Sequence, residues 1–275
     1  ETLQRDPYAI YAQYVLGLTK LDPLDMAIDA RPRGTAIHAA LEKFEAESEA
    51  KTADNLVAML ERELREAGEA EEVILGAMAA RRRVAEEYLA WRAERLHLIA
   101  GAPHTEIKGR TSFPVPGLRE DSFTLTATAD RVEKHQDGTL AILDFKSGAP
   151  PGEKEVRVGL NPQMPLQAVI AMNEGFKSEA GHAVSGEAVS ALTYVRFGSQ
   201  FAVRNIGDAA GRDIEAKPLE EIIEETREGF LNLIARFAKA NHPYVSMPRP
   251  KWAKYGSDYA RLARRDEWAA EDEDE

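Results

Sequence analysis

The chain has 275 residues, 44% hydrophobic and 30% charged, enough to bury one large core or two small ones, and a single elaborated domain over 1–275 is the simpler expectation. Zero cysteines exclude disulfides, thiolate zinc sites and thiolate-held iron–sulfur clusters, which leaves carboxylates and imidazoles to hold any metal. The net charge of -12 argues against a uniformly basic surface, but part of the acidic excess sits in the run 271–275 and part between Glu42 and Glu72, so a local basic groove stays open.

No apolar run is long enough to span a bilayer and no basic-then-apolar leader is present, so a cytoplasmic protein without a membrane partner is expected. The first residue is Glu1 rather than methionine, which suggests a piece of a longer polypeptide.

Asp6-Pro7 opens a capped helix whose apolar residues Tyr8, Ile10, Tyr11, Tyr14, Val15 and Leu18 recur at helical period. After a proline-bearing loop over 22–33, the spacing of Ile37, Leu41 and Phe44 predicts a helix from Gly34 to about Glu49, with His38 beside the apolar stripe. Two more helices are expected over 53–67 and 71–98, in stretches rich in strong helix formers. Arg81, Arg82 and Arg83 give the second a basic patch, whose simpler reading is a solvated face. The helical part thus occupies about 1–100.

From Pro103 the pattern changes to that of strands, and a sheet-containing core is expected over about 101–241. A strand over 122–134 places Thr124, Thr126, Thr128 and Asp130 on one face, and Phe123, Leu125, Ala127 and Ala129 on the other. Gln136-Asp137-Gly138 then turns the chain into a strand from Thr139 to Lys146, predicted to pair antiparallel with its predecessor. A helix from Pro162 to about Glu174 carries Gln163 and Gln167 one turn apart. Strands over 187–196 and 199–206 and a helix over 218–240 complete the core, and 242–275 reads as an irregular tail holding Trp252, Tyr255, Tyr259 and Trp268. The fold class is therefore α/β, a small mixed sheet flanked by helices.

Asp144 and Lys146 are two apart, so on a strand they emerge on one face about 7 Å apart along the chain. The hairpin turn at 136–138 sets Asp130 opposite a position close to 144, and two carboxylates can then converge on one cation. Oxygen ligands suit Mg²⁺ or Mn²⁺, and an imidazole from His38 would tilt the choice toward Mn²⁺. An acid and a base two apart usually form a solvated pair, and a lone helical histidine is usually a satisfied core residue. Against that stands the apolar context Leu140, Ala141, Ile142, Leu143 and Phe145, which makes the strand central and leaves its charges partly buried, where they need partners or a function. Glu106 is a further candidate carboxylate from a neighbouring strand, although strand-edge glutamates are usually solvated. His97, His104, His135, His182 and His242 have no usable spacing, and Trp252, Tyr255 and Tyr259 read more simply as packing than as base-stacking groups.

The string 33–44, Arg-Gly-Thr-Ala-Ile-His-Ala-Ala-Leu-Glu-Lys-Phe, then Ala129-Asp130-Arg131-Val132, then Ile142-Leu143-Asp144-Phe145-Lys146-Ser147-Gly148, then Gln163, resembles in order and spacing the RecB-like family of PD-(D/E)XK nucleases, and within it the AddB-type nuclease domains. The resemblance implies a restriction-endonuclease-like core with a helical insertion after the first motif. It implies that His38, Asp130, Asp144 and the Phe145 carbonyl bind Mg²⁺ or Mn²⁺, and that Lys146 positions or activates water. Gln163 would contact DNA or orient Lys146, with Gln167 on the same helix face. It further implies an exonuclease acting on single-stranded DNA ends during double-strand-break repair, beside an AddA-like helicase-nuclease subunit in the nucleoid. Two departures stand out. Relatives that open with Cys-Pro-aromatic hold an iron–sulfur cluster, whereas this chain has Asp6-Pro7-Tyr8, so the aromatic residues of the two ends are expected to pack in its place. Thr128 occupies the position where the family usually has a glycine two residues before the first aspartate. The competing readings are a catalytically inactive scaffold or DNA-binding module, and an RNA-directed or small-substrate hydrolase.

Overall fold

Seven strands form one mixed sheet: β1 (His104–Pro114), β2 (Ser122–Lys134), β3 (Leu140–Lys146), β4 (Phe176–Lys177), β5 (Ala183–Val184), β6 (Val189–Phe197) and β7 (Phe201–Asn205), in the order β5-β4-β1-β2-β3-β6-β7. This computed structural model describes residues 1–19, 30–46, 50–177, 181, 183–248, 257–264 and 267, with the side chains of 30–32 excepted. Trp252, Tyr255, Trp268, His182, most of the proline-bearing loop and the acidic run 271–275 lie outside the described residues.

β3 is buried from Leu140 through Phe145, as its unbroken apolar run requires of a strand covered on both faces. It pairs antiparallel with β2, Arg131 opposite Leu143, and parallel with β6, Asp144 opposite Tyr194. On one face Val132, Leu140 and Ile142 join a core with α8 (Gln163–Met172) and α9 (Leu219–Phe237). On the other, Ala141, Leu143 and Phe145 pack with α3 (Ala30–Ala46), α4 (Ala53–Glu66) and α6 (Met78–Leu96). The sheet is thus sandwiched between helices, the α/β class that the sequence predicts.

On this second face helix and sheet are keyed together by charge. Arg131 on β2 is 1% exposed and pairs with Glu45 of α3 at 2.9 Å and with Glu133 at 2.8 Å. Arg92 of α6 reaches Glu45 at 2.7 Å, the Tyr88 hydroxyl donates to it at 3.0 Å, and Arg95 meets Glu133 at 2.5 Å. Three guanidinium groups and two carboxylates therefore satisfy one another in a dry layer between helix and sheet, the condition under which buried charge is tolerated. Burial opposes ionisation of Glu45, but the hydrogen bond from Arg92, the charges of Arg131 and Arg92, and the Tyr88 hydroxyl outweigh it and hold the carboxyl at about 2.

Several boundaries differ from the expectation. The opening helix divides into α1 (Thr2–Arg5), α2 (Pro7–Ile10) and a π-helical turn over Tyr11–Val15, and Tyr14, Val15, Leu16 and Leu18 are exposed rather than buried. The stretch predicted as one helix over 71–98 breaks between α5 (Glu71–Gly76) and α6 at Ala77, whose φ of -100° and ψ of 0° leave the helical region directly after Gly76. A short α7 (Glu153–Arg157) and the two-residue strands β4 and β5 are additions too brief for periodicity to announce. At the chain's two ends Tyr11 lies 5.8 Å from Tyr244, Tyr244 lies 4.9 Å from Phe237, and Asp6 accepts from the Met247 amide. Arg82 pairs with Asp54 and Glu86, and Arg83 with Glu87, so that basic patch is a solvated, ion-paired face.

Candidate metal centre and active site

The carboxylates gather where β2 and β3 part. Their ladder ends at Arg131 opposite Leu143, and extending it by one residue sets Asp130 opposite Asp144. There the Asp130 side chain takes over from backbone pairing, because its Oδ2 accepts the Phe145 N–H at 2.7 Å. The β1–β2 ladder runs from His104 opposite Val132 to Pro114 opposite Ser122, with a gap only at Glu106 and Asp130, which face each other across it. Glu106 has φ of 47°, a left-handed conformation that costs a non-glycine residue of order 1 kcal/mol and is concentrated at functional sites.

α3 crosses above this gap and brings His38 down to it, Nδ1 standing 3.5 Å from Asp130 Oδ2. His38, Glu106 and Asp130 each present one donor atom, and the three atoms lie within 4.8 Å of one another. One nitrogen and two carboxylate oxygens at that separation can share a single divalent cation. Glu106 is therefore the third member of the group, ahead of Asp144. Burial, and then the charges of Asp130 and Glu42, raise its pKa.

Asp144 stands beside that group, 1% exposed. Its Oδ1 accepts from Gln163 Nε2 at 2.8 Å, and Lys146 Nζ lies 2.6 Å from its Oδ2, an oxygen that has no aligned hydrogen-bond donor. Burial and the neighbouring Asp130 push its carboxyl up to about 6, with Lys146 pulling in the opposite direction. An acid held that high by burial, and then by another acid, is in the electrostatic setting that a cation would relieve.

Gln163 reaches Asp144 rather than Lys146, so the side chain it orients is the carboxylate. Gln167, one turn on, donates from Nε2 to the Thr128 carbonyl at 2.9 Å and is buried behind β2, away from the acidic group. That bond ties α8 to the strand carrying Asp130, at the position where Thr128 stands in place of a glycine. His135 is apart from the site, 3.2 Å from the Ser190 hydroxyl near the opposite end of β3.

Sequence reading nominated Glu106 only as a further candidate, and it missed one network altogether. Glu106 carried a usable signal: β1 and β2 are symmetric about Leu118 beside Pro116-Gly117, and counting outward from that turn pairs 106 with 130. The Glu45, Arg92 and Arg131 network carried none, because its members come from three separate elements.

A family model described as the PD-(D/E)XK nuclease superfamily matches residues 1–253. Among curated proteins, an uncharacterized protein of Rickettsia bellii is 24% identical over 158 residues, 54% of this chain and 18% of that protein. Uncharacterized proteins of Rickettsia typhi and Rickettsia felis are 24% and 25% identical over 186 residues, each match covering 64% of this chain and 21% of the relative. The chain thus spans about a fifth of the length of the curated relatives it matches. Among solved structures, the crystal structure of SSO0001 is similar at 13% identity, covering 72% of this chain and 84% of that one, with a TM-score of 0.26, too low to bear on the fold.

Proposed function

This chain belongs to the PD-(D/E)XK nuclease superfamily, and from that premise we propose that it is a divalent-metal-dependent deoxyribonuclease whose site comprises His38, Glu106, Asp130, Asp144 and Lys146. The observation that carries the reading is the meeting of a three-ligand group, His38, Glu106 and Asp130, with a buried Asp144–Lys146 pair at the parting of two strands. These residues fit Mg²⁺ or Mn²⁺: the donors are hard oxygens with one imidazole, and three carboxylates, Glu106, Asp130 and the buried Asp144, meet beside the single ammonium of Lys146, an excess of negative charge that a cation would balance.

His38, Glu106 and Asp130 would hold the ion, with Asp144 and the Phe145 carbonyl as further ligands. When bound, it supplies Lewis-acid stabilisation of the charge that builds on the phosphoryl oxygens. The chain's own groups do the rest. Gln163 fixes the rotamer of Asp144, and Asp144 fixes the ammonium of Lys146 at 2.6 Å. That ammonium is then placed to hold a water for attack on phosphorus, or to bind a non-bridging oxygen of the phosphate under attack and stabilise its charge. Asp130 is oriented by the Phe145 N–H, so its carboxylate keeps one face toward the group.

The finer reading places this domain in an AddB-type subunit that trims single-stranded DNA ends during double-strand-break repair, beside an AddA-like helicase-nuclease partner. An intact Asp144–Lys146 contact supports cleavage over a purely architectural role. The test is a labelled DNA strand incubated with Mg²⁺. Asp144→Ala should abolish digestion while the domain keeps its circular dichroism spectrum, because the lost group is chemical rather than part of the packing. A variant that digests the strand as fast as the parent would refute the assignment. Matched RNA, tested alongside, separates a deoxyribonuclease from an RNA-directed enzyme.

A further inference from the structure

The acidic group sits at one end of an exposed strip of sheet whose chemistry changes sign within two residues. Beyond Glu106 and Asp130, the same face presents Lys108 opposite Thr128, Arg110 opposite Thr126 and Ser112 opposite Thr124, and Lys177 of β4 stands opposite Lys108. All seven side chains are exposed, while the alternate residues Ile107, Thr111 and Phe113 are buried on the other face. The packed side of the ribbon is filled to contact: a methyl group at Gly109 would come within 2.6 Å of Phe176 and 2.7 Å of Ile170. The cations thus serve no core. Lys108 and Lys177 have no ion-pair partner among the described residues, and Arg110 has only Glu174, at 3.9 Å. A groove of about 920 Å³ lies along this face, lined by Lys108, Arg110, Thr126, Thr128, Glu174 and Lys177.

In a chain with a net charge of -12, such a strip calls for an anionic occupant. Cations and hydroxyls recur along each strand every second residue, about 7 Å apart, one nucleotide step of an extended strand. Across β4, β1 and β2 the strip is two strand spacings wide, about 10 Å, which suits one backbone rather than the two of a duplex. It holds no aromatic side chain, so it offers contacts to phosphates and none to the faces of bases.

We propose that the outward face of β1, β2 and β4 is a track that holds the phosphodiester backbone of a single DNA strand on one side of the cleavage site. This rests on the nuclease reading above and adds where the uncut strand lies. Among the described residues Glu174 is the one acid on the track, and it competes with phosphate for Arg110 and for the Ser112 N–H, which donates to it at 2.8 Å.

The test measures anisotropy of labelled oligothymidylate with EDTA present, across a salt series, for the parent and for the triple variant Lys108→Thr/Arg110→Thr/Lys177→Thr, which keeps strand-forming residues on an exposed face. Each lost phosphate contact lowers the slope of log affinity against log salt by about 0.7, so the triple variant should lose about 2 from its slope. Glu174→Gln should shift binding the other way, toward tighter affinity. Hydrolysis of bis(p-nitrophenyl) phosphate, too small to reach the track, should proceed at the parental rate in the triple variant. An unchanged slope overturns the track and leaves the nuclease reading standing. A slope change in a protein that hydrolyses neither substrate sinks the nuclease reading and leaves a binding track. Variant-sensitive binding that is tighter for an RNA strand than for DNA overturns the assignment to DNA.

Discussion

Glu106 adopts a strained backbone conformation and a raised pKa in order to face Asp130, and neither helps the fold. The ligand role proposed above would account for both. Glu106→Gln should weaken Mn²⁺ binding by at least about tenfold, as loss of a group that supports a metal site does, with little change in metal-free melting temperature. Titration of Mn²⁺ by calorimetry checks this, and parental affinity in the variant would remove Glu106 from the site. Asp144 yields a prediction of opposite sign for stability. Its folded pKa of about 6 lies above the ordinary 3.8, so ionising it costs the fold nothing below pH 3.8 and the full penalty above pH 6. Metal-free Asp144→Asn should therefore melt higher than the parent at pH 8, with the difference vanishing below pH 4, although it no longer cleaves. A lower melting temperature at pH 8 would show that the buried carboxylate is stabilising after all. Such a trade of stability for activity is the usual signature of a functional group.

Between helix and sheet, the Glu45–Arg131 pair sets how α3 lies on β2, and so how His38 meets Asp130: Glu45 is two helical turns after His38, and Arg131 directly follows Asp130. Glu45→Gln leaves Arg131 and Arg92 as underpaired buried cations and should cost about 3 kcal/mol in urea unfolding at pH 7. Because the folded carboxyl sits at about 2 against an ordinary 4.5, the contribution is fully present above pH 4.5 and is lost as pH falls toward 2. The gap between parent and variant should accordingly narrow below pH 4.5, and a constant gap would contradict the ion-pair origin. The helices expected from 34 to about 49 and over 53–67 and the strands over 122–134 and 139–146 were legible because their apolar period spans several turns or alternations, although α3 begins at Ala30, within the stretch read as a loop. The break at Ala77, the π-turn and the two-residue strands were not, since each is decided by tertiary packing at one or two residues.

At the scale of the whole molecule, a sheet whose central strands are covered by helices on both faces gathers its candidate site where β2 leaves β3 and α3 passes over the gap. The juxtaposition of Asp130, Asp144 and Lys146 could be read in sequence because strand pairing and a two-residue spacing fix their neighbours. His38 could be nominated but not placed, because periodicity gives a helix face and no crossing angle. Among the described residues no helix is long and apolar enough to cross a membrane. Removing divalent metal with EDTA should stop digestion of a DNA strand, and Mn²⁺ should restore it at lower concentration than Mg²⁺, given the imidazole in the group. Full activity in EDTA would contradict a metal-dependent reading.

The most direct measurement is an anomalous difference map from crystals soaked in Mn²⁺. One peak is expected between His38, Glu106 and Asp130, at about 2.0–2.3 Å from each donor atom, with Asp144 adjacent to it. A map whose only peak lies elsewhere, from a protein that still digests DNA in the same Mn²⁺ solution, would show that the chemistry is housed in another part of the chain.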